Sequence, residues 1–434
     1  MKKIFSFSCL FVILFPLFVT GQQTYMPPAC AGKSITTISP AEMRSPKMSD
    51  LRPNPPISKT SQQKLFSTLV RILDSIYLYP DFKGLDWPAI VAEYRHKIED
   101  GLDTEDFYAA MDQFIRKLGD KHSYFQSPVN VEAEKARLSG EGSYVGVGAL
   151  FQPLMGKKCV TVVSVFPNSP AEHAGIRQHD NVLKVDGFPL IQNDTLYPFT
   201  RGPECSMTEL TVQSPGKEPR TIRVIRSRLT GLLPVYSRLV PTADGRRIGY
   251  IFLTNFLDPT IPAQVKKALE DFGTLDGLIL DNRMNSGGAF SVVKPILSHF
   301  TNGNPGEFIG RTTRRSLEIV ADPVNNSQNV PMLILTSKYT VSYGEIFSGL
   351  LRDMGRAKIV GQTTAGKVEA LYAYIFADGS RVWIAQERFE HSKTHANWQG
   401  KGVKPDAEVV AEWDEFTFET DPVLAMALKM LPKK

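Results

Sequence analysis

Three polar residues in the last third of this chain have the types and setting for acyl transfer: Ser342, Glu345 and Lys367. Ser342 lies in Leu335-Thr-Ser-Lys-Tyr-Thr-Val-Ser342-Tyr-Gly-Glu345-Ile-Phe, where a strand and loop meet a helix with apolar face Ile346, Phe347, Leu350, Leu351 and Met354. A hydroxyl at a helix start sits in a field that favours developing negative charge. The next backbone N–H, on Tyr343, can point at that charge. A serine is a weak nucleophile without a base, and a lysine amine serves as one when burial keeps it neutral. Lys367 ends Ile359-Val-Gly-Gln-Thr-Thr-Ala-Gly366-Lys367, a strand running into a glycine-containing loop. Upstream, Leu278-Ile-Leu-Asp-Asn-Arg-Met-Asn-Ser-Gly287-Gly288-Ala carries an apolar strand into a polar loop with two glycines before a helix. Glycines admit a substrate backbone and a helix start offers free N–H donors, the ingredients of an oxyanion hole.

Each residue also has a plain structural reading. Serine is a common N-cap, lysine is most often solvated, and Glu345 is a favourable first-turn carboxylate. The elements around them narrow the choice. From about residue 229, strands (248–256, 277–281, 331–337, 358–361) alternate with helices (261–272, 289–300, 342–354), which implies a mainly parallel sheet covered by helices. A hairpin turning at Asp378-Gly379 follows, and residues 301–330 read as a surface loop. Residues 61–138 have helical periodicity, with Leu65, Phe66, Leu69, Val70 and Leu73 on one face, Asp86 capping Trp87-Pro88, and Thr104 capping a third helix. Residues 139–228 change to short β runs, Tyr144–Phe151 and Cys159–Val165 among them.

In that β region Ser169-Pro-Ala-Glu-His-Ala-Gly175-Ile and Asp180-Asn-Val-Leu-Lys-Val-Asp-Gly187 resemble a PDZ domain. Val145, Gly146, Val147 and Gly148 resemble the loop whose N–H groups hold a peptide's C-terminal carboxylate beside a strand that accepts it by β-addition. The catalytic segments, together with Ile248-Gly-Tyr-Ile, Gly355-Arg-Ala-Lys-Ile-Val-Gly361 and Gly402-Val-Lys-Pro405-Asp406, resemble in order the S41 family of C-terminal processing peptidases. The 25 residues from Ser342 to Lys367 match the family's spacing. The resemblance covers about residues 61–410. It implies a multidomain α+β chain of helical domain 61–138, PDZ β-barrel-like module 139–228 and α/β (ClpP/crotonase-like) protease domain 229–434, which follow a signal peptide 1–21 and a Pro-, Ser-, Thr- and Lys-rich linker 22–60 read from their own residues. It implies Ser342 as nucleophile, Lys367 as base, N–H groups of Gly288 and Tyr343 as oxyanion donors, and Glu345 orienting the lysine or the helix start. No cofactor or metal is implied. Two positions depart from the family pattern: Thr340-Val341 and Tyr343-Gly344 replace its serine-rich surroundings, and its glutamine four residues after the lysine is Leu371, which removes a polar partner for the ammonium.

Composition is that of a globular protein, 42% hydrophobic and 22% charged, and a net charge of +5 without a basic stripe does not suggest nucleic-acid binding. Lys2 and Lys3, an apolar run to Val19, and Thr20-Gly21 describe a secretory signal, so the mature chain is exported, periplasmic or secreted, without a stable membrane span. Cys30, Cys159 and Cys205 remain, and their spacing fits no metal site; a Cys159–Cys205 bridge and buried thiols are both open. The seven histidines contain no HExxH pair, and His122 in Asp120-Lys-His-Ser reads as structural. The partners expected are proteins or peptides bound by their C-terminus. Two other functions compete: a weak or inactive PDZ-bearing adaptor, and a histidine-assisted esterase.

Overall fold

The computed structural model describes residues 24–37, 53–120, 122–139, 143–192, 195–196, 200, 202–230 and 232–433. The segment read as a signal peptide lies outside them. Within the stretch read as a linker, Pro27 and Cys30 are buried while most of residues 24–37 are exposed. Pro28–Cys30 forms a 3-10 turn, and β1 (Thr36–Thr37) pairs in parallel with the strand Ser206–Gln213. Cys30 is fully buried and bridged to Cys205, leaving Cys159 a buried free thiol. The Cys159–Cys205 alternative is therefore not formed, because this N-terminal segment brings its own cysteine to the start of that strand. Tyr25 stacks on His173 at 3.8 Å and adds to the clasp.

Local chemistry sets the helix boundaries. Helix α1 (Lys59–Ile76) is capped by Ser58, whose hydroxyl accepts the Ser61 N–H at 3.3 Å. Helix α2 (Trp87–Lys97) is capped by Asp86, which accepts the Ala89 N–H at 3.1 Å, with Pro88 in the first turn. Helix α3 (Thr104–Arg116) has Asp103 as its N-cap residue in place of Thr104, whose hydroxyl instead accepts the Ile57 N–H at 3.3 Å. The helical region is then interrupted by β2 (Tyr124–Gln126) before α4 (Pro128–Ser139). The core under these helices, with Phe66, Trp87, Phe107 and Phe114, also contains Val382, Ile384 and Ala385 from a late strand.

The middle region holds β3 (Ser143–Gly146), β4 (Ala149–Leu154), β5 (Cys159–Val165), α5 (Pro170–His173), β6 (Asn181–Val185), β7 (Phe188–Pro189), β8 (Ile191–Gln192), β9 (Thr195–Leu196), β10 (Ser206–Gln213), β11 (Arg220–Ile225) and β12 (Ser227–Thr230). One sheet runs β1-β10-β6-β5-β4, with β11 on β10 and β7 on β6. The alternating burial of β10 is that of a strand with one face on the core. The single run expected over Tyr144–Phe151 is split at Val147-Gly148, so that β3 pairs β12 while β4 pairs β5. Gly148 has φ +89°, and a Cβ there would lie 2.3 Å from the Ser169 Cβ. Only glycine fits this corner.

The last region alternates β13 (Tyr236–Val240), β14 (Ile248–Phe252), α6 (Ile261–Phe272), β15 (Gly277–Asp281), α7 (Phe290–Ser298), β16 (Gly303–Ile309), β17 (Arg314–Ile319), β18 (Met332–Thr336), α8 (Tyr343–Asp353), β19 (Lys358–Gly361), β20 (Ala370–Ile375), β21 (Arg381–His391), β22 (Ala407–Glu408) and α9 (Pro422–Met430). Its main sheet runs β13-β14-β15-β18-β19-β22, antiparallel only between β13 and β14. Every residue of β14, β15 and β18 is buried, as in parallel strands covered on both faces. Helices α6, α7 and α8 cover one face; α9 with Trp413 and Phe416 covers the other. The stretch 301–330, expected to be a loop, contains the β16–β17 hairpin. Its arginines and glycines hide the period-2 pattern that Leu317 and Ile319 bury.

The middle sheet rests on the segment after β22. The Trp413 indole donates to the Val162 carbonyl at 3.0 Å, and its own carbonyl lies 2.7 Å from the His179 ring. Asp414 accepts from Lys157 at 2.7 and 2.8 Å and from Asn181 at 3.1 Å.

Candidate active site

The three segments with chemical potential leave β15, β18 and β19, which are neighbours in one parallel sheet. Their loops therefore emerge at one edge, outside the carboxyl ends of the strands, where α/β sheets place ligands.

Ser342 is the residue before α8, with φ 56° and ψ −124°, a conformation non-glycine residues rarely adopt. Its surroundings over-determine it. Val341 N–H donates to the Asn285 carbonyl at 2.9 Å, Gly344 N–H to the Val341 carbonyl at 2.9 Å, and Ser342 N–H to Glu345 Oε1 at 3.2 Å. Both residues of a capping box are in place, but the Ser342 side chain makes no capping hydrogen bond. Its half-buried hydroxyl is free for other use.

The glycine loop lies directly against it. A Cβ on Gly287 would come within 2.6 Å of the Ser342 Cβ and 3.2 Å of its Oγ. Gly288 forms an isolated parallel bridge with Phe256: Phe256 N–H donates to the Gly287 carbonyl at 2.7 Å, and Ala289 N–H to the Phe256 carbonyl at 2.8 Å. Alternation along an extended backbone turns the Gly288 N–H the other way. Among the described residues neither that N–H nor the N–H of Tyr343 donates a hydrogen bond.

Glu345 is completely buried and joins the nucleophile segment to the lysine segment. Its Oε2 accepts from the Thr364 hydroxyl at 2.5 Å and Gly366 N–H at 2.6 Å; its Oε1 accepts from Lys367 N–H at 2.8 Å as well as from Ser342. Burial raises its pKa above the ordinary carboxylate value, and these four donors pull the other way. All its bonds end on backbone or on Thr364. No hydrogen bond joins the Lys367 ammonium to the Ser342 hydroxyl or to Glu345. Hence the structure brings the two chain segments together through Glu345, without a hydrogen bond between the two side chains. Leu371 packs against the helical core.

Several participants carried no assignment from sequence. Asn282 and Asn285, both fully buried, lie in the quoted loop motif, and Gln399 accepts the Val368 N–H at 2.8 Å beside the lysine. A chain of polar residues within an otherwise apolar strand-loop was the available signal. His122 comes closer than its sequence position suggested. Its ring is 3.8 Å from Glu369, a buried carboxylate two residues after Lys367 that also accepts from the Tyr79 hydroxyl. Among the described residues no group of side chains could hold a metal ion, and no helix is long and apolar enough to cross a membrane.

Val145, Gly146, Val147 and Gly148 stand apart from these loops. Val145 and Gly146 pair with β12, the Val147 carbonyl accepts from Ala171 N–H at 2.8 Å, and the Gly148 carbonyl accepts from Phe166 N–H at 3.0 Å. Beside them β4 is the last strand of its sheet, with nothing paired along its outer edge among the described residues.

Residues 247–409 match peptidase family S41, and residues 58–116 match the tricorn protease C1 domain. A carboxyl-terminal-processing protease of Picosynechococcus is 28% identical over 389 residues, covering 86% of this chain and 90% of that protein. Carboxyl-terminal-processing peptidase 2 of Arabidopsis thaliana, chloroplastic, is 28% identical over 369 residues, covering 80% and 68%. Among solved structures, a photosystem II D1 C-terminal processing protease superposes with a TM-score of 0.58 at 25% identity, covering 86% of this chain and 98% of the other. With its mixed α/β fold, helical N-terminal region and an S41 match over residues 247–409, this chain is a serine-type peptidase.

Proposed function

We propose that this chain is an exported endopeptidase that acts through a Ser342–Lys367 dyad on proteins recognised by their C-terminus. The observation that carries the reading is the pair of unspent N–H groups, on Gly288 and Tyr343, flanking a serine whose hydroxyl is not used as a cap. In the first step the Lys367 amine takes the Ser342 proton as Oγ bonds to the scissile carbonyl carbon. The carbonyl oxygen gains negative charge between the two N–H groups. Collapse breaks the C–N bond, and the lysine ammonium returns its proton to the leaving amine. Water, deprotonated by the same amine, then hydrolyses the acyl ester. Glu345 holds the serine and lysine segments at one separation.

In this reading the middle sheet is a PDZ domain. A substrate tail adds to the open edge of β4, with its carboxylate at the Val145–Gly148 loop. Export is supported by the Lys2-Lys3 start with its apolar run and by the Cys30–Cys205 bridge, which persists in an oxidising compartment. The test is cleavage of one peptide with a free and with an amidated C-terminus by wild type, Ser342→Ala and Lys367→Ala. Both substitutions abolish turnover, and amidation raises KM. Equal turnover by all three proteins would exclude the dyad.

One observation favours a second reading, in which His122 supplies the base: its ring faces the buried Glu369 beside the lysine loop. That reading requires Lys367→Ala to retain turnover while His122→Ala loses it.

A further inference from the structure

We propose that Asn285, backed by Asn282, is a positioning residue that sets the separation of the two oxyanion donors; this rests on the assignment of those donors to Gly288 and Tyr343. The two donors belong to different loops, and nothing in either loop alone fixes one relative to the other. Asn285 connects them. Its side-chain Oδ1 accepts the Gly287 N–H at 2.8 Å, immediately before the first donor. Its backbone carbonyl accepts the Val341 N–H at 2.9 Å, two residues before the second. Its side-chain Nδ2 donates to Asn282 Oδ1 at 2.7 Å. Asn282 in turn donates to the Gly344 carbonyl and the Ser348 hydroxyl, both at 2.9 Å, holding the residue after the second donor. Its backbone carbonyl accepts the Thr340 hydroxyl at 2.9 Å.

The chemistry of the amide explains the choice of residue. Each side chain must accept from one side and donate to the other, which asparagine does and aspartate does not. Both are fully buried, so water cannot replace a lost partner. An aspartate at 285 keeps the bond to Gly287 but sets two oxygens against each other across the 2.7 Å link.

The experiment compares wild type, Asn285→Ala, Asn285→Asp and Ser337→Ala in peptide turnover and in labelling by a fluorophosphonate. Ser337 bonds the Arg283 carbonyl at 2.5 Å, so its loss loosens the same two loops away from the donors. Asn285→Ala is expected to lower kcat about hundredfold with KM within about threefold, and to slow labelling in parallel. Asn285→Asp lowers kcat by about tenfold or more, and supplies the same test where the alanine variant does not fold. Ser337→Ala loses thermal stability with little change in kcat. Folded Asn285 variants with wild-type kcat would overturn the proposal, as would a fall in kcat for Ser337→Ala equal to theirs. Persistent turnover by Ser342→Ala, or label found elsewhere than Ser342, would instead remove the underlying site assignment.

Discussion

The backbone N–H groups of Ser342 and Lys367 end on the same carboxylate oxygen, Oε1 of Glu345, at 3.2 and 2.8 Å. Two segments from neighbouring strands are thus held by one buried charge. Their separation then depends on a side chain that need not touch the substrate.

Replacing that carboxylate by its neutral isostere is therefore costly. In Glu345→Gln the amide NH2 meets at least one backbone N–H whichever way it turns, two of them at the Oε1 position, where only acceptors would serve it. We expect a loss of about 2–4 kcal/mol of stability and a fall in kcat of roughly a hundredfold, read by thermal unfolding and by peptide turnover. A variant with native melting temperature and native kcat would contradict this.

Gly288 has no room for a methyl group. A Cβ there would stand 2.1 Å from the carbonyl carbon of Phe256, so Gly288→Ala must push its loop away from the bridge. The expected outcome is a loss of about 1–3 kcal/mol and of about 100- to 1000-fold in kcat. Turnover and chemical denaturation of the purified variant give the measurement.

His179 makes stability depend on pH. Burial under Trp413 pushes its pKa down to about 4, with the Arg283 guanidinium acting in the same direction and Asp421, Asp281 and the Trp413 carbonyl opposing. The unfolded chain, with histidine near 6.5, binds a proton that the folded chain does not between those two values. Stability therefore falls as pH drops from about 6.5 towards 4, by up to roughly 3 kcal/mol. Melting curves at pH 7.5 and 5 should show a smaller drop for His179→Gln than for wild type.

Reduction of Cys30–Cys205 releases the N-terminal clasp. The bridge closes 175 residues, for which the chain-entropy relation gives about 5 kcal/mol at most. Cys30→Ser and Cys205→Ser should each lower the melting temperature, and dithiothreitol should have no further effect on either. Unchanged melting in both variants would show that the segment's packing alone holds it.

The parts visible in sequence were those governed by local rules. Continuous apolar strands, alternation with helices, and the Asp86 cap follow from neighbours in the chain. Ser342, Glu345, Lys367 and Gly288 could be singled out because motifs mark strand ends. What stayed hidden depends on partners far along the chain. Cys30 reads as a linker residue until Ser206–Gln213 is placed beside it, and β2 reads as part of a helical stretch until β21 pairs with it. The anchoring of the serine and lysine segments through Glu345 is a contact that no spacing rule specifies.

The helical layer shares its interior with β21, and its Tyr108 hydroxyl bonds Asp378 at 2.8 Å across 270 positions of sequence. A ribosome or translocon delivers the N-terminal half long before Val382, Ile384 and Ala385 arrive. Until then, the greasy side of α1–α3 has no native cover, and closing so distant a contact is slow. Holdase-type chaperones should therefore engage nascent chains truncated near residue 300 and release those extended past residue 391.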